Sequence, residues 1–244
     1  SADVGLAWAA GRLYRTTDGG AEWAVVEGFS QYSTWFKFFG PKTVLAVADQ
    51  KLMRSDDGGA TWDAAIADLP AGVQPTIAAM HGDDILTFAG NKLHKKIDGL
   101  GWVALPLPLA PVQVQMLDAN MVYMMGGASM GQLQPVWLSA DGGKTVSQLT
   151  TGQYDGALAA YGEEMDWLDA EHGFLVRGNP GNVNGVQAAV LATTDGGLTW
   201  ATTPVDAAPN RPLDNVPQHI DMVSTKVGFA AGGRGKVFRY VPRP

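Results

Sequence analysis

One short segment recurs along the chain at a nearly constant spacing. Its copies are LYRTTDGGAEW (13–23), LMRSDDGGATW (52–62), LHKKIDGLGW (93–102), VWLSADGGKTV (136–146) and VLATTDGGLTW (190–200), with a partial copy, VFRYVP (237–242). Successive copies start 39, 41, 43, 54 and 47 residues apart. A period of about 40 to 45 residues is typical of the four-stranded blade of a β-propeller.

Each repeat contains earlier apolar segments of strand length. The segment just before the recurring one is represented by VGLAWA (4–9) and TVLAVA (43–48), and the one before that by WFKFF (35–39) and TIAAM (76–80). A further segment begins at the tryptophan that ends most copies. Separated by Gly, Asp and Pro residues, the four segments of each repeat indicate strands A, B, C and D of a blade. We therefore predict that residues 1–244 form one all-β domain, a β-propeller of six four-stranded blades. The first repeat begins at strand B and the last stops after strand C. Three explanations are open: the chain is trimmed, the ring closes with reduced blades, or a partner supplies strands.

The recurring segment contains the pattern S/T-x-D-x-G-x-x-W between strands C and D. Segments 16–23, 55–62, 139–146 and 193–200 fit it, although the third has valine in place of tryptophan; we call these four segments the motif turns. We expect the aspartate to accept hydrogen bonds from its own turn, the glycine to supply a positive φ, and the tryptophan to bury its ring over the turn. The residues assigned this structural role, including two from the shortened copy at 93–102, are Asp18, Asp57, Asp98, Asp141, Asp195, Trp23, Trp62, Trp102 and Trp200.

The pattern resembles the Asp-box, also called the bacterial neuraminidase (BNR) repeat. Over nearly its whole length the chain resembles the family related to the photosystem II assembly and stability factor, on the evidence of VGLAWAAGRLYRTTDGG (4–20) and VGFAAGGRGKVFRY (227–240). That resemblance implies a propeller that acts as a binding or assembly platform with a protein partner. It also implies a periplasmic or secreted location. Sialidases share the repeat, but this chain lacks their FRIP segment.

Composition argues against several other classes of protein. A net charge of −7 argues against a nucleic-acid partner, since backbone binding draws on clustered Lys and Arg. No apolar run approaches the roughly 18 residues that cross a bilayer, so a membrane-spanning chain is not expected. The chain has no cysteine, and its four histidines lack the short spacing of metal ligands. We therefore predict neither a metal site nor a cofactor.

Long loops suggest where a partner binds. The B–C and D–A connections lengthen in the fourth and fifth repeats, at 126–135, 150–163, 177–187 and 204–218. Long loops on one side of a rigid scaffold are typical of a binding surface. The alternative is that these loops vary in length without a functional reason. Arg177 stands where the other repeats have alanine or glycine, and Asn179 and Arg211 lie in the same loops. We predict that Arg177 binds an anion or a partner's acidic side chain; an internal salt bridge to Asp166 or Glu171 is the alternative.

The middle of each A strand gives a second set of candidates. Counting back eight residues from the centre of each B strand leads to Lys37, Ala78, Gln115, Asp166 and Asp221. Innermost strands line the channel of a propeller, so the polar members are candidate ligand-binding residues. Asp166 and Asp221 fall on adjacent repeats and form a candidate carboxylate pair for glycoside hydrolysis. The alternative is that these side chains bind backbone amides or water.

Two functions from different classes remain. One is a non-enzymatic binding or assembly propeller that uses the long-loop face. The other is a glycan-binding or glycan-cleaving propeller that uses Asp166 and Asp221 together with Arg177. The missing sialidase residues favour the first function.

Overall fold

The computed structural model describes residues 3–29, 35–48, 51–63, 75–89, 92–97, 101–107, 110–126, 135–149, 161–178, 189–204, 217–232 and 236–240. Within these ranges every helix or strand that forms is a β-strand. The chain divides into two compact units, residues 1–110 and 111–244. In the described part of the chain no helix is long and apolar enough to span a membrane.

The first unit contains three antiparallel sheets, each built from strands that follow one another in sequence. The first sheet comprises β1 (Gly5–Ala9), β2 (Arg12–Thr16) and β3 (Ala24–Val25). The second comprises β4 (Trp35–Phe38), β5 (Val44–Ala48) and β6 (Lys51–Ser55). The third comprises β7 (Ile77–His81), β8 (Asp84–Ala89), β9 (Lys92–Ile97) and β10 (Gly101–Pro106). In the second sheet, an isolated bridge between Arg54 and Asp63 lies where a fourth strand is expected.

The second unit repeats this arrangement three times. Its first sheet comprises β11 (Pro111–Met116), β12 (Val122–Gly126), β13 (Val136–Ser139) and β14 (Ser147–Gln148). Its second comprises β15 (Tyr161–Trp167), β16 (Gly173–Gly178), β17 (Ala189–Thr193) and β18 (Ala201–Pro204). Its third comprises β19 (Pro217–Ser224), β20 (Val227–Gly232) and β21 (Lys236–Tyr240).

The cores of both units lie between neighbouring sheets. In the first unit Leu45 and Leu52 of one sheet pack with Met80 and Ile85 of the next. In the second unit Tyr123 and Trp167 stack with ring centroids 3.7 Å apart, and other apolar side chains surround them. Burial raises the pKa of Tyr123 to about 12. The core of each unit therefore consists of apolar contacts between neighbouring sheets.

The structure confirms the all-β prediction. Every segment named above as an A, B or C strand falls on a strand, in the predicted order. Three of the six sheets have four strands, and the other three have three strands within the described residues. The six-bladed ring and the single domain spanning 1–244 stay predictions.

The pairing register confirms four of the five aligned A-strand positions. Lys37 pairs with Leu45 across an offset of eight residues, and the same offset recurs in three other sheets. In the third sheet Ala79 rather than Ala78 pairs with Leu86, so the prediction for Ala78 is wrong by one residue. The cause is a hairpin turn that is one residue shorter, in which His81 pairs with Asp84.

Candidate functional site

The polar side chains on the A strands of the second unit hydrogen-bond to the backbone of the next sheet. Gln115 on β11 donates its Nε2 to the Trp167 carbonyl at 2.8 Å and accepts from the Trp167 amide at 2.8 Å. Gln113, two residues earlier on the same face, makes the same pair of bonds to Met165. Each glutamine amide thus replaces a peptide group and joins β11 to β15.

Two carboxylates on β15 continue this pattern to β19. Asp166 accepts from the Met222 amide at 2.7 Å through Oδ2 and from Gln115 at 3.3 Å through Oδ1. Glu164 accepts from the Ile220 amide at 2.9 Å. Both Asp166 oxygens are therefore engaged in bonds between neighbouring sheets, as the backbone-amide alternative predicted.

Asp221 has a different environment from Asp166. It lies on β19, pairs with Phe229, and its side chain is exposed. His219, two residues earlier, is also exposed, and its Nδ1 lies 3.1 Å from Glu164 Oε2. Asp166 and Asp221 thus lie on neighbouring sheets, as expected, with one carboxylate bonded to the backbone and the other in solvent. The catalytic pair stays a prediction.

The remaining candidate residues are placed only in part. Lys37 lies half-buried on β4 of the first unit. The Arg177 backbone lies on β16, paired with Gly162 and Ala189, and its side chain lies outside the described residues. Asn179 and Arg211 lie wholly outside them. The long-loop face therefore stays a prediction.

The motif turns share one hydrogen-bond pattern, seen clearly at 193–200. Thr193 donates its hydroxyl to Asp195 at 2.7 Å and accepts from the Gly197 amide at 2.9 Å. Asp195 accepts from the Thr199 amide at 2.9 Å and from the Thr199 hydroxyl at 2.6 Å. The Trp200 indole donates to the Gly197 carbonyl at 3.1 Å. Gly197 has a φ of +90°, so this turn requires glycine.

The other motif turns repeat these bonds with one change each or none. The turn at 55–62 repeats all of them. The turn at 139–146 lacks the indole bond because Val146 replaces the tryptophan. The turn at 16–23 has Glu22 in place of the threonine, so Asp18 accepts from the Glu22 amide but from no threonine hydroxyl at that position. Asp98 lies outside the described residues, and Trp102 is described only by its backbone on β10. The expected role of the aspartates therefore holds in four turns.

The exposure of the motif tryptophans corrects one expectation. Trp62 and Trp200 are only half-buried, and 44% of Trp23 is exposed. Trp62 contacts Phe29 and Trp200 contacts Trp167, each from a preceding strand or loop. The expectation of buried rings is wrong, most clearly for Trp23, because a ring bonded to its own turn is buried only where a neighbouring segment covers it.

Two features of these turns were missed by sequence reasoning. The threonine four residues after the aspartate bonds to its carboxylate, and its recurrence before the final motif position was a usable signal. The first glycine of each turn also donates its amide to the carbonyl two residues before strand B, at 2.7 to 3.0 Å. These amide–carbonyl pairs are Gly19 with Asp3, Gly58 with Lys42, Gly142 with Asn120 and Gly196 with Glu171.

The hydrogen bonds in the motif turns lower the pKa of their aspartates. Bonds from the Thr199 hydroxyl and amide lower the pKa of Asp195 to about 2, and those from Thr145 do the same for Asp141. The pKa of Asp57 is also well below its usual range, chiefly because of the Thr61 hydroxyl. A carboxylate that accepts several hydrogen bonds favours its ionised form.

The lowered pKa of Asp195 predicts how the stability of the protein changes at acid pH. Because the folded-state pKa of Asp195 lies below its unfolded value, its contribution to stability is present above about pH 4 and lost as the pH falls towards 2. We expect Asp195→Asn to lower the urea midpoint at pH 6 and to differ less from wild type at pH 2.5. Glu171→Gln, an exposed carboxylate, serves as the control. An equal difference at both pH values would show that the Asp195 charge adds nothing to the turn.

No cluster of three or more potential metal ligands occurs among the residues that the structure describes.

Comparison with known proteins shows the fold. Neither the family models nor the curated proteins include a match to this sequence. Among solved structures, "YCF48 bound to D1 peptide" matches 95% of this chain and 73% of that chain at 17% identity and a TM-score of 0.63. The GH74 xyloglucanase from Xanthomonas campestris matches 98% of this chain at 15% identity and a TM-score of 0.61, and this chain spans 43% of its length. A streptogramin B lyase matches 99% of this chain and 83% of that chain at 12% identity and a TM-score of 0.53. These neighbours are β-propellers, and the chain has a β-propeller fold.

Proposed function

We propose that this protein is a non-enzymatic binding or assembly propeller with Asp-box turns, located in the periplasm or secreted. Its protein partner binds the face formed by the long loops at 126–135, 150–163, 177–187 and 204–218. We further propose that the repeats form the six blades of the propeller.

The observation that carries this proposal is that the Asp166 carboxylate is engaged in hydrogen bonds between sheets. Both oxygens of Asp166 accept hydrogen bonds, one of them from the Met222 backbone amide, so this carboxylate serves to hold two sheets together. A nucleophile or general acid needs an oxygen that reaches the substrate. The fold likeness to a structure titled as bound to a peptide is compatible with a partner-binding role.

Substitution of the loop arginines tests the proposal. We expect Arg177→Ala and Arg211→Ala each to weaken capture of the partner, because an arginine that pairs with a carboxylate on a partner loses a charge-assisted hydrogen bond. The measurement is a quantitative pull-down from an extract of the source organism. Arg239→Ala, an exposed arginine on β21, is the matched control. Partner profiles unchanged by both loop substitutions would remove the long-loop face from the proposal.

A second function is favoured by the placement of Asp166 and Asp221. Their strands are neighbours, Asp221 is exposed, and the fold is also that of a xyloglucanase, so a glycan-binding or glycan-cleaving role is the alternative. A glycan array and a panel of chromogenic glycosides test it, with Asp221→Asn as the variant that removes the exposed carboxylate. Failure to bind or cleave any sugar would reject this alternative and leave the first proposal intact.

A further inference from the structure

A groove with aromatic walls lies in the first unit, between β3 and the motif turn at 55–62. Its volume is about 720 Å³, within the usual range for a ligand site of 300–1,000 Å³. Its lining includes Arg15, the segment 22–29 and Trp62. We call it the Trp23 groove.

The aromatic side chains of the Trp23 groove are held in place without a ligand. The Trp23 indole donates to the Gly20 carbonyl at 3.0 Å, yet 44% of the side chain is exposed. Trp62 donates to the Gly59 carbonyl at 3.1 Å, and its ring meets Phe29 edge to face at 4.8 Å. Rings fixed by hydrogen bonds lose little freedom when they bind a partner.

The charge in the Trp23 groove is acidic. Glu22 and Glu27 are exposed, and within the described residues neither carboxylate forms a salt bridge. Among the described residues that line the groove, Arg15 is the one cation, and it donates to the Gly58 carbonyl at 2.8 Å and the Asp57 carbonyl at 3.4 Å. Its guanidinium is therefore directed at backbone oxygens and leaves Glu22 and Glu27 open to a partner's cation.

We propose that the Trp23 groove binds a basic segment of a partner protein, with an arginine or lysine side chain against the Trp23 ring and its charge near Glu22 and Glu27. A cation over an indole is attracted by the ring quadrupole, and nearby carboxylates add Coulomb attraction. The net charge of −7 favours the approach of a basic segment. This surface differs from the long-loop face of the proposed function and does not depend on it.

Fluorescence anisotropy with synthetic peptides tests the proposal on the full chain. The probe is a labelled octapeptide with three arginines spaced by glycine and serine, and its control has glutamine at the same three positions. We expect only the arginine peptide to bind, more weakly as salt rises. Trp23→Ala and the double variant Glu22→Gln/Glu27→Gln should each weaken binding at least about threefold, the scale of a cation–π contact or exposed ion pairs.

Two matched variants separate the groove from other causes. Glu171→Gln removes an exposed carboxylate of the second unit, and Arg239→Ala removes an exposed arginine there; both should bind the arginine peptide as wild type does. Circular dichroism checks that Trp23→Ala folds. If it does not fold, the double variant at the exposed Glu22 and Glu27 still tests the proposal. Equal binding of both peptides, or binding unchanged in the glutamate double variant, would overturn the proposal. Binding of cellohexaose in place of the arginine peptide would overturn it in favour of a sugar-binding groove.

Discussion

Trp167→Ala is expected to lower the free energy of unfolding by about 3–5 kcal/mol, the usual cost of deleting a large buried aromatic side chain. Only 2% of Trp167 is exposed. Its ring stacks on Tyr123 and meets Trp200 edge on at 5.9 Å, so alanine leaves a cavity between two sheets. Urea unfolding followed by circular dichroism measures the loss.

Trp23→Ala is the matched control for this substitution. Because 44% of Trp23 is exposed, its removal should cost roughly half as much. Equal losses from the two substitutions would show that burial does not set their cost. The comparison also tests the corrected view of the motif tryptophans, since sequence reasoning assigned buried rings to the motif and gave Trp167 no special place.

The fold was predictable because one local signal repeats. The motif aspartates and glycines specify turns through contacts within about five residues, as at 193–200, and such contacts are visible in the sequence. The strand order follows from the apolar segments between those turns. The shift at Ala78 was not predictable by counting, because it arises from one turn that is shorter by a residue.

The A-strand site was predictable only in part. The sequence singled out Gln115 and Asp166 as polar residues on strands where alanine fits, but their partners are backbone groups of the next sheet. Those contacts depend on the spacing between sheets, which no local pattern encodes. Gln113 and Glu164 were missed, although each lies two residues before a chosen position and therefore on the same face of its strand.

In three sheets the first residue of the B strand pairs with a large residue at the end of the A strand. Val44 pairs with Phe38 and Val122 with Met116, whereas Gly173 pairs with Trp167. A Cβ atom added at Gly173 would lie 2.6 Å from the Trp167 ring. The large ring of Trp167 thus occupies the space that a valine side chain takes at the start of β5 and β12.

Gly173→Ala is therefore expected to destabilise the protein by about 1–3 kcal/mol, the usual cost of overpacking a core. The backbone of Gly173 does not have a positive φ, so the loss would come from the clash. Gly5→Ala, at the equivalent position of the first sheet, should cost less, because its added Cβ lies 3.2 Å from a Thr16 methyl group and meets no closer atom. The double variant Trp167→Met/Gly173→Val recreates the pair found between β11 and β12 and should be more stable than Gly173→Val alone. Thermal and urea unfolding of the four variants measure these differences. If the double variant is no more stable than the single one, the side chains at positions 167 and 173 do not compete for the same volume.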